Sequence, residues 1–522
     1  MNILLPYTSL FLLSCTLGDL PDKKIESPQV VVNLNEEFQT IHSFGGSDCW
    51  SAKYIGTWQN ETKKNQIADL LFSTDTLPDG QPKGIGLSLW RVNIGAGSFE
   101  QGNASNITDE WRREECFQDA QGKYDWSKQA GNQWFLNAAR QRGVRYTLGF
   151  TNSPPVHMTN NGLAFSPGGA SLNLKTGRLP DFADFLTEVS AHFKFDFLSP
   201  INEPQWEWKA DKNGKAGQEG TPAQNSDILA VAKSLSNSLS AKGSSVKVVT
   251  GEAGQIDYLY SKAESGRGDQ LNQLFTGVTS LRTLPSVEPI LAYHSYWSTC
   301  DDAKLVKMRR KTVQTAKGVG NPELWQSEFG VLGNICGQYN GSPRNTSIEY
   351  GLYVAKVIHH DLAITNATSW QWWTTINPYN YSDGLVYING LDGEYKNHTN
   401  TKKDGIVVES KQLWAFGNYS RFVRPGMKRV NVTLKNYTDL VEQAGTYMVS
   451  GYKDEKTNKI VLVAINMTNQ SISLPLSGLK LRNNQFTAYT TDDTHSLFKS
   501  NQSGNQLKLE AKSVTTLVGN YE

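Results

Sequence analysis

Between residues 43 and 374 eight short apolar runs alternate with amphipathic stretches, and the polar residues of the runs gather at their C-terminal ends. The runs are SFGGS (43–47), LSLWRVNIG (87–95), YTLGFTNSPP (146–155), FLSPINEP (197–204), VKVVTGEAG (246–254), PILAYHSYW (289–297), ELWQSEFG (323–330) and SWQWWT (369–374). Nearly continuous apolar runs of this length read as strands buried on both faces. Between them, apolar residues three and four apart predict helices over 61–73, 127–142, 181–193, 225–241 and 347–362. Eight such units predict an α/β fold, a closed (β/α)8 TIM barrel, because an open doubly wound sheet rarely needs eight. A barrel also explains the polar run ends, since its strands are buried in their bodies and open onto the active-site face at their C-termini. Arg91 and Asn93, Asn152, Asn202 and Glu203, Glu252, His294 and Tyr296, Glu328 and the Trp370–Trp373 cluster all fall there.

After Phe422 the texture changes to short alternating runs such as VNVTLKN (430–436) and KIVLVAINM (459–467), which predict an appended antiparallel β-sandwich side domain. QVVVNLNEEFQTI (29–41) alternates in the same way without a following helix and is expected to join it. The expected organisation is an export signal at 1–15, a tether at 16–28, the catalytic barrel at 42–418, and a side domain made of 29–41 and 419–522.

The apolar run from Ile3 to Leu13 is too short to span a bilayer, and LLSC at 12–15 resembles a lipobox in which Cys15 would carry a lipid anchor. An exported chain at a cell surface or in a periplasm is expected, with an ordinary secretory signal and extracellular release as the alternative. Cys49, Cys116, Cys300 and Cys336 allow three disulfide pairings or four buried thiols. With 51 Lys and Arg against 50 Asp and Glu, the chain has no basic field for a phosphate backbone, which excludes nucleic acid as a partner. The 14 Trp exceed what a core of this size requires, and indole faces suit the apolar faces of sugar rings.

Glu203 ends the fourth run and Glu328 the seventh, so a barrel sets them opposite one another across its mouth. Hydrolysis of a glycosidic bond needs such a pair, one carboxyl protonated to release the leaving oxygen and the other ionised to attack the anomeric carbon or activate water. Asn202 beside Glu203 suits a ligand for a sugar hydroxyl and favours Glu203 as acid/base. Ser327 beside Glu328, with Tyr296 and His294 from the adjacent sixth run, favours Glu328 as the nucleophile. The alternative is that both glutamates are buried ion-pair partners of Arg91.

NEP at strand four and a Glu ending strand seven look like the retaining clan to which glycoside hydrolase family 30 belongs. IHSFGGSDCW (41–50), LWRVNIGAGS (89–98), NSPPVHMTNNG (152–162), AYHSYW (292–297) and FGNYSRFVRPG (416–426), in that order, resemble that family. The resemblance runs from about residue 29 to the C-terminus. It implies Glu203 as acid/base, Glu328 as nucleophile, Asn202 as a hydroxyl ligand, Tyr296 and His294 as supports of Glu328, and Arg91 and Trp373 lining the cleaved subsite; it implies no metal and no cofactor. Asn152 is expected to bind substrate as well.

The stretch 113–144, followed by FTNSPPVHMTNNG, is most similar to family members that cut β-1,6-galactan, the side chains of arabinogalactan. Ser98 stands where glucosylceramidase-type members carry an Asp that binds the non-reducing sugar, which lowers that reading. A β-1,6-glucanase, a xylanase and a carbohydrate-binding barrel without catalysis are the alternatives, whereas an esterase is disfavoured by the lack of GxSxG. Trp206 and Trp208 follow Glu203 on a loop, where an indole either stacks on a leaving-side sugar or packs the loop. One of Trp370, Trp372 and Trp373 is expected to form a sugar platform, and alternation places 372 and 373 on opposite faces. Glu252 reads as an acid behind the pair, a sugar ligand or a structural hydrogen-bond partner. The partner is a polysaccharide and the chain is expected to be monomeric.

Overall fold

The computed structural model describes residues 28–299, 301–335 and 338–522. Strands Ser43–Ser47, Leu89–Asn93, Tyr146–Phe150, Phe197–Ser199, Lys247–Ala253, Val287–His294, Glu323–Phe329 and Ser369–Trp372 pair in parallel, and the eighth closes on the first to complete the barrel. They are called strands one to eight below.

Alternation along strand two shows how the sequence sorts its side chains. Trp90 and Val92 pack outward against the helical layer, whereas Leu89 belongs to the cluster that fills the barrel with Leu148, Phe197, Val249, Ile290 and Trp325. That apolar plug occupies the N-terminal half of the barrel, with His42 stacked on Tyr146 beneath it. Further along, the inward positions become Arg91 and Asn93, so the interior changes from apolar to polar where the mouth begins. Gly46 in strand one serves this packing, because a Cβ there would lie 2.3 Å from the Thr375 methyl.

The outer helices include Glu61–Phe72, Ala130–Gln141, Leu179–Phe193, Asn225–Ala241 and Ile348–Ala363. Gln224 and Asp227 form a capping box at the start of Asn225–Ala241, and a proline sits in the first turn of Leu179–Phe193. One further helix, Asp302–Gly318, lies between strands six and seven; Asp301 caps it by accepting from the Lys304 amide at 2.5 Å.

The side domain is a nine-stranded sheet in the order Phe498–Ser503, Gln485–Thr491, Ser513–Asn520, Lys459–Asn466, Tyr447–Asp454, Lys428–Lys435, Gln29–Thr40, Ile472–Ser477, Gln506–Leu509. It is antiparallel except where Gln29–Thr40 runs parallel to Ile472–Ser477, a pairing between the two ends of the chain that alternation alone does not reveal. One face buries Val30, Leu462, Phe486 and Leu517 in the domain's own core, while Met448, Val461, Val463 and Val514 join the core of the barrel helices. Helix Lys411–Ser420 bridges the two units: Asn418 Nδ2 donates to the Tyr489 carbonyl at 2.9 Å and to Thr516 Oγ1 at 3.0 Å.

Cys49 and Cys116 are buried free thiols, and burial pushes Cys116 up to about 12. Cys15, Cys300 and Cys336 lie outside the described residues, as does the expected export signal. Among the described residues no helix is long and apolar enough to cross a membrane.

Candidate active site

The mouth of the barrel brings together side chains from strands two to seven and the residues just past their ends. Arg91 is wholly buried and lies flat on Phe150, its guanidinium carbon 3.7 Å from the ring centre. One guanidinium nitrogen, Nη1, meets Glu328 Oε2 at 2.6 Å. Its neighbour, Nη2, donates to Asn202 Oδ1 at 2.9 Å. Asn202 Nδ2 then donates to Asn152 Oδ1 at 3.1 Å, and Asn152 Nδ2 to Asn93 Oδ1 at 3.3 Å. A rigid polar chain therefore crosses the mouth, with Asn202 in its middle and Asn152 behind it.

Glu328 receives a second hydrogen bond from the Tyr296 hydroxyl at 3.2 Å. Burial first, and then the Glu328 carboxylate, push that phenol well above its ordinary value, so it acts as a donor. Glu203 sits in a different environment. Its main chain has a positive φ of 45° and its Oε1 lies 2.9 Å from His294 Nδ1. Burial raises the Glu203 carboxyl above the usual carboxylate range, and the hydrogen bond and charge of His294 oppose that rise without cancelling it. His294 Nε2 faces Glu252 Oε2 at 3.1 Å. Burial works against charge on His294, yet Glu328, Glu203 and Glu252 together lift it to about 10. For Glu252 burial would raise the carboxyl, but Arg91 and the hydrogen bonds from His294 and Ser327 outweigh it and hold it at about 2.

One ligand-type atom each from Glu203, His294 and Glu328 lie within 4.8 Å of one another. Such a trio has the composition of a metal site, but Arg91, Tyr296 and His294 already engage these oxygens, and a cation among them would compete with the guanidinium.

Two expected contacts are corrected by this geometry. The Ser327 hydroxyl does not serve Glu328; it donates to Glu252 Oε2 at 2.5 Å, and a register shift in the pairing of strands six and seven falls at this residue. His294 lies 2.9 Å from Glu203 and 3.6 Å from Glu328, so it serves both glutamates and not Glu328 alone. The alternative ion-pair arrangement is not the one found either, since Arg91 reaches Glu328 and Glu252 and leaves Glu203 to His294.

Aromatic walls flank the pair. Beyond Glu203, Trp206 meets Trp297 at 5.6 Å and Tyr258 at 6.0 Å between ring centres, and Trp297 is 43% exposed. On the strand-eight side Trp373 packs edge to face with Trp50 at 5.5 Å, while Trp370 and Trp372 are core. Trp373 and Trp50 border a cavity of about 320 Å³ that Arg112, Gln218, Tyr379 and Asp383 also line. Sequence reasoning missed these four, which belong to loops and one short 3-10 turn, and it did not single out Trp297 at the end of the sixth run. Ser98 turns away from the mouth to a buried carboxylate, donating to Glu219 Oε1 at 2.5 Å.

A barrel with this mouth is the architecture of a carbohydrate-cleaving enzyme. The chain matches the model of O-glycosyl hydrolase family 30 over residues 27–387. It is 21% identical over 490 residues to an endo-β-1,6-galactanase from Hypocrea rufa, covering 90% of this chain and 88% of that one. A glucuronoxylanase, XynC of Bacillus subtilis, is 29% identical over 213 residues, covering 38% of this chain and 40% of its own. Among solved structures, a conserved exported protein from Bacteroides fragilis is 32% identical with a TM-score of 0.86, covering 94% of this chain and 100% of that one. The chain belongs to glycoside hydrolase family 30 and is an O-glycosyl hydrolase.

Proposed function

We propose that the protein cleaves β-1,6-linked galactan internally, with retention, by double displacement. The observation that carries the retaining mechanism is the separation of the pair. One oxygen of Glu203 and one of Glu328 lie within 4.8 Å of each other, which favours the retaining separation of about 5–5.5 Å over the about 6.5–9.5 Å that an inverting enzyme keeps for its water. In the first step Glu203 gives its proton to the glycosidic oxygen while Glu328 attacks the anomeric carbon and forms a glycosyl ester. In the second, Glu203 as carboxylate takes a proton from water, which displaces Glu328 and releases the sugar in its original anomeric form. Arg91 and Tyr296 aim Glu328, and Asn202, fixed between Arg91 and Asn152, has one amide hydrogen left for a sugar hydroxyl.

Barrel order gives the cleft its polarity. The Trp206, Tyr258 and Trp297 wall follows strands four to six on the side of the proton donor and suits the leaving sugars. The cavity bounded by Trp373 and Trp50 lies on the other side and has the size for a further sugar before the cleaved one. Sugar on both sides of the scissile bond supports internal cleavage. Galactan is supported by the likeness to the Hypocrea rufa enzyme along nearly the whole chain. A second reading, glucuronoxylan, rests on the higher identity to the Bacillus subtilis enzyme over a shorter stretch.

The test is incubation of the protein with β-1,6-galactan, β-1,6-glucan, glucuronoxylan and an aryl β-galactoside, with product sizes read out. Oligomers from galactan alone are expected; oligomers from glucuronoxylan alone would overturn the galactan reading. We also propose that the protein is exported as a monomer and anchored by lipid at Cys15, in keeping with its likeness to the exported Bacteroides fragilis protein. Labelling with radioactive palmitate, lost in Cys15→Ser, checks the anchor.

A further inference from the structure

Glu252 ends strand five with a positive φ of 43° and no exposure, so it touches no substrate. All its bonding capacity is turned inward. Oε1 accepts from Ser199 Oγ at 2.8 Å, and Oε2 accepts from Ser327 Oγ at 2.5 Å while facing His294 Nε2 at 3.1 Å and Arg91 Nη2 at 3.6 Å. Its carbonyl receives the Glu203 amide at 3.0 Å, which ties the main chain of the acid/base residue to the same position.

Counting charges gives Glu252 a task. Nε2 donates to the Glu252 carboxylate, and the three carboxyl groups around the ring favour the imidazolium, which donates from Nδ1 to a Glu203 oxygen as well. The buried set then holds two cations, His294 and Arg91, and three carboxyl groups, Glu203, Glu252 and Glu328. It is neutral only when one carboxyl keeps its proton, and an unbalanced buried charge is costly. Glu252 has four hydrogen-bonding or charged neighbours, and Glu328 has Arg91, Tyr296 and, at 3.6 Å, His294, whereas Glu203 has His294 and Trp206 and no contact with Arg91; the proton belongs on Glu203. The other titratable groups that act on the set are Asp48, which senses Arg91, Asp383, which senses Tyr296, and the Cys49 thiol, and burial holds all three toward their neutral forms.

We infer that Glu252 is a positioning residue that makes the His294–Glu203 pair hold two protons, and so keeps the transferable proton on Glu203. Without its charge the pair balances Arg91 and Glu328 with a single proton, which stays on the imidazole and leaves Glu203 as a base that cannot begin the reaction. This rests on the assignment of Glu203 as the acid.

The test compares wild type with Glu252→Gln, which keeps the size of the side chain. Nitrogen-15 spectra of histidine-labelled protein, assigned with His294→Gln, are expected to show both His294 nitrogens protonated at pH 7 in the wild type, and loss of that charge at a lower pH in Glu252→Gln. On whichever glycoside the wild type cleaves, the basic limb of kcat/KM should move down by on the order of one pH unit in the variant. Turnover of unactivated glycosides should fall about 10²-fold, and dinitrophenyl glycosides, whose leaving group needs no proton, should lose much less. A neutral His294 in the wild type at pH 7, or a variant profile that overlies the wild type with equal losses on both leaving groups, overturns the inference. If the variant does not fold, the wild-type spectrum decides. If His294 is charged as expected and no glycoside is cleaved, the functional reading fails and the charge assignment stands.

Discussion

Arg91 binds Glu328 with one guanidinium nitrogen and Asn202 with the other, so a single strand-two side chain sets the relative geometry of strands four and seven. Lysine would keep the charge and lose the planar fork. Arg91→Lys should therefore lower kcat by about 10²-fold, the usual effect of a displacement of roughly 1 Å at a reacting centre, with a similar far-ultraviolet spectrum. Glu328→Ala should abolish turnover, and Glu203→Ala should lose about 10²–10⁴-fold on polysaccharide but far less on a dinitrophenyl glycoside; steady-state rates on both substrates check this. That both glutamates meet in one mouth was legible because each ends a barrel run, where a carboxylate has few structural uses. Of their partners, Tyr296 was legible and the destination of Ser327 was not. The Ser327 hydroxyl goes to Glu252 where the strand pairing shifts register, and no spacing in ELWQSEFG records either. Glu252 stayed ambiguous for a related reason: its left-handed φ sets which neighbour it faces, and VTGEAG does not announce that conformation.

At the scale of elements, buried strands were the clearest signal, because strands covered on both faces must be apolar for their whole length. Helix Asp302–Gly318 was hidden by its own surface. Leu305, Val306, Met308, Thr312 and Ala316 form its buried stripe, but Lys304, Lys307, Arg310, Lys311 and Lys317 interleave with them and blur the period. Strand Gln29–Thr40 illustrates the opposite case, legible as a strand while its parallel partner was not. It lies between Lys428–Lys435 and Ile472–Ser477, and it supplies Val30 and Val32 to the side-domain core. A chain beginning at residue 42 should thus lose an interior strand, the seventh of nine, and expose two unpaired edges. Its soluble yield should collapse, measured against a chain beginning at residue 28, which should express as the full chain does. On the loops, Trp297→Ala should raise KM for polysaccharide more than for an aryl galactoside, since only the former places sugars against the exposed indole.

The whole molecule buries an acidic cluster on the loops that follow strands one, two and four, outside the catalytic pair. Burial raises Asp48 to about 7, offset in part by hydrogen bonds from Asn132 and the Asn93 amide; it raises Glu114 to about 8 against the pull of Lys53, and Glu219 to about 7 against Ser98. Folded, these groups keep protons that the unfolded chain releases in the ordinary carboxylate range. Stability must then fall as pH rises from that range through about 7 and 8. His294, raised to about 10, adds to the trend, for the stability it contributes is complete below 6.5 and is lost as pH rises through about 10. The thermal midpoint should be lower at pH 9 than at pH 6, and Glu114→Gln should flatten that slope; an unchanged slope would show that Glu114 does not hold its proton. The account turns most of all on which carboxylate meets the anomeric carbon. Trapping the enzyme with a 2-deoxy-2-fluoro-β-galactosyl fluoride, digesting it and sequencing the labelled peptide by mass spectrometry settles this directly. The sugar is predicted on Glu328, within the strand Glu323–Phe329; a sugar on Glu203, or steady turnover of a substrate to the α-anomer with no trapped ester, would contradict it.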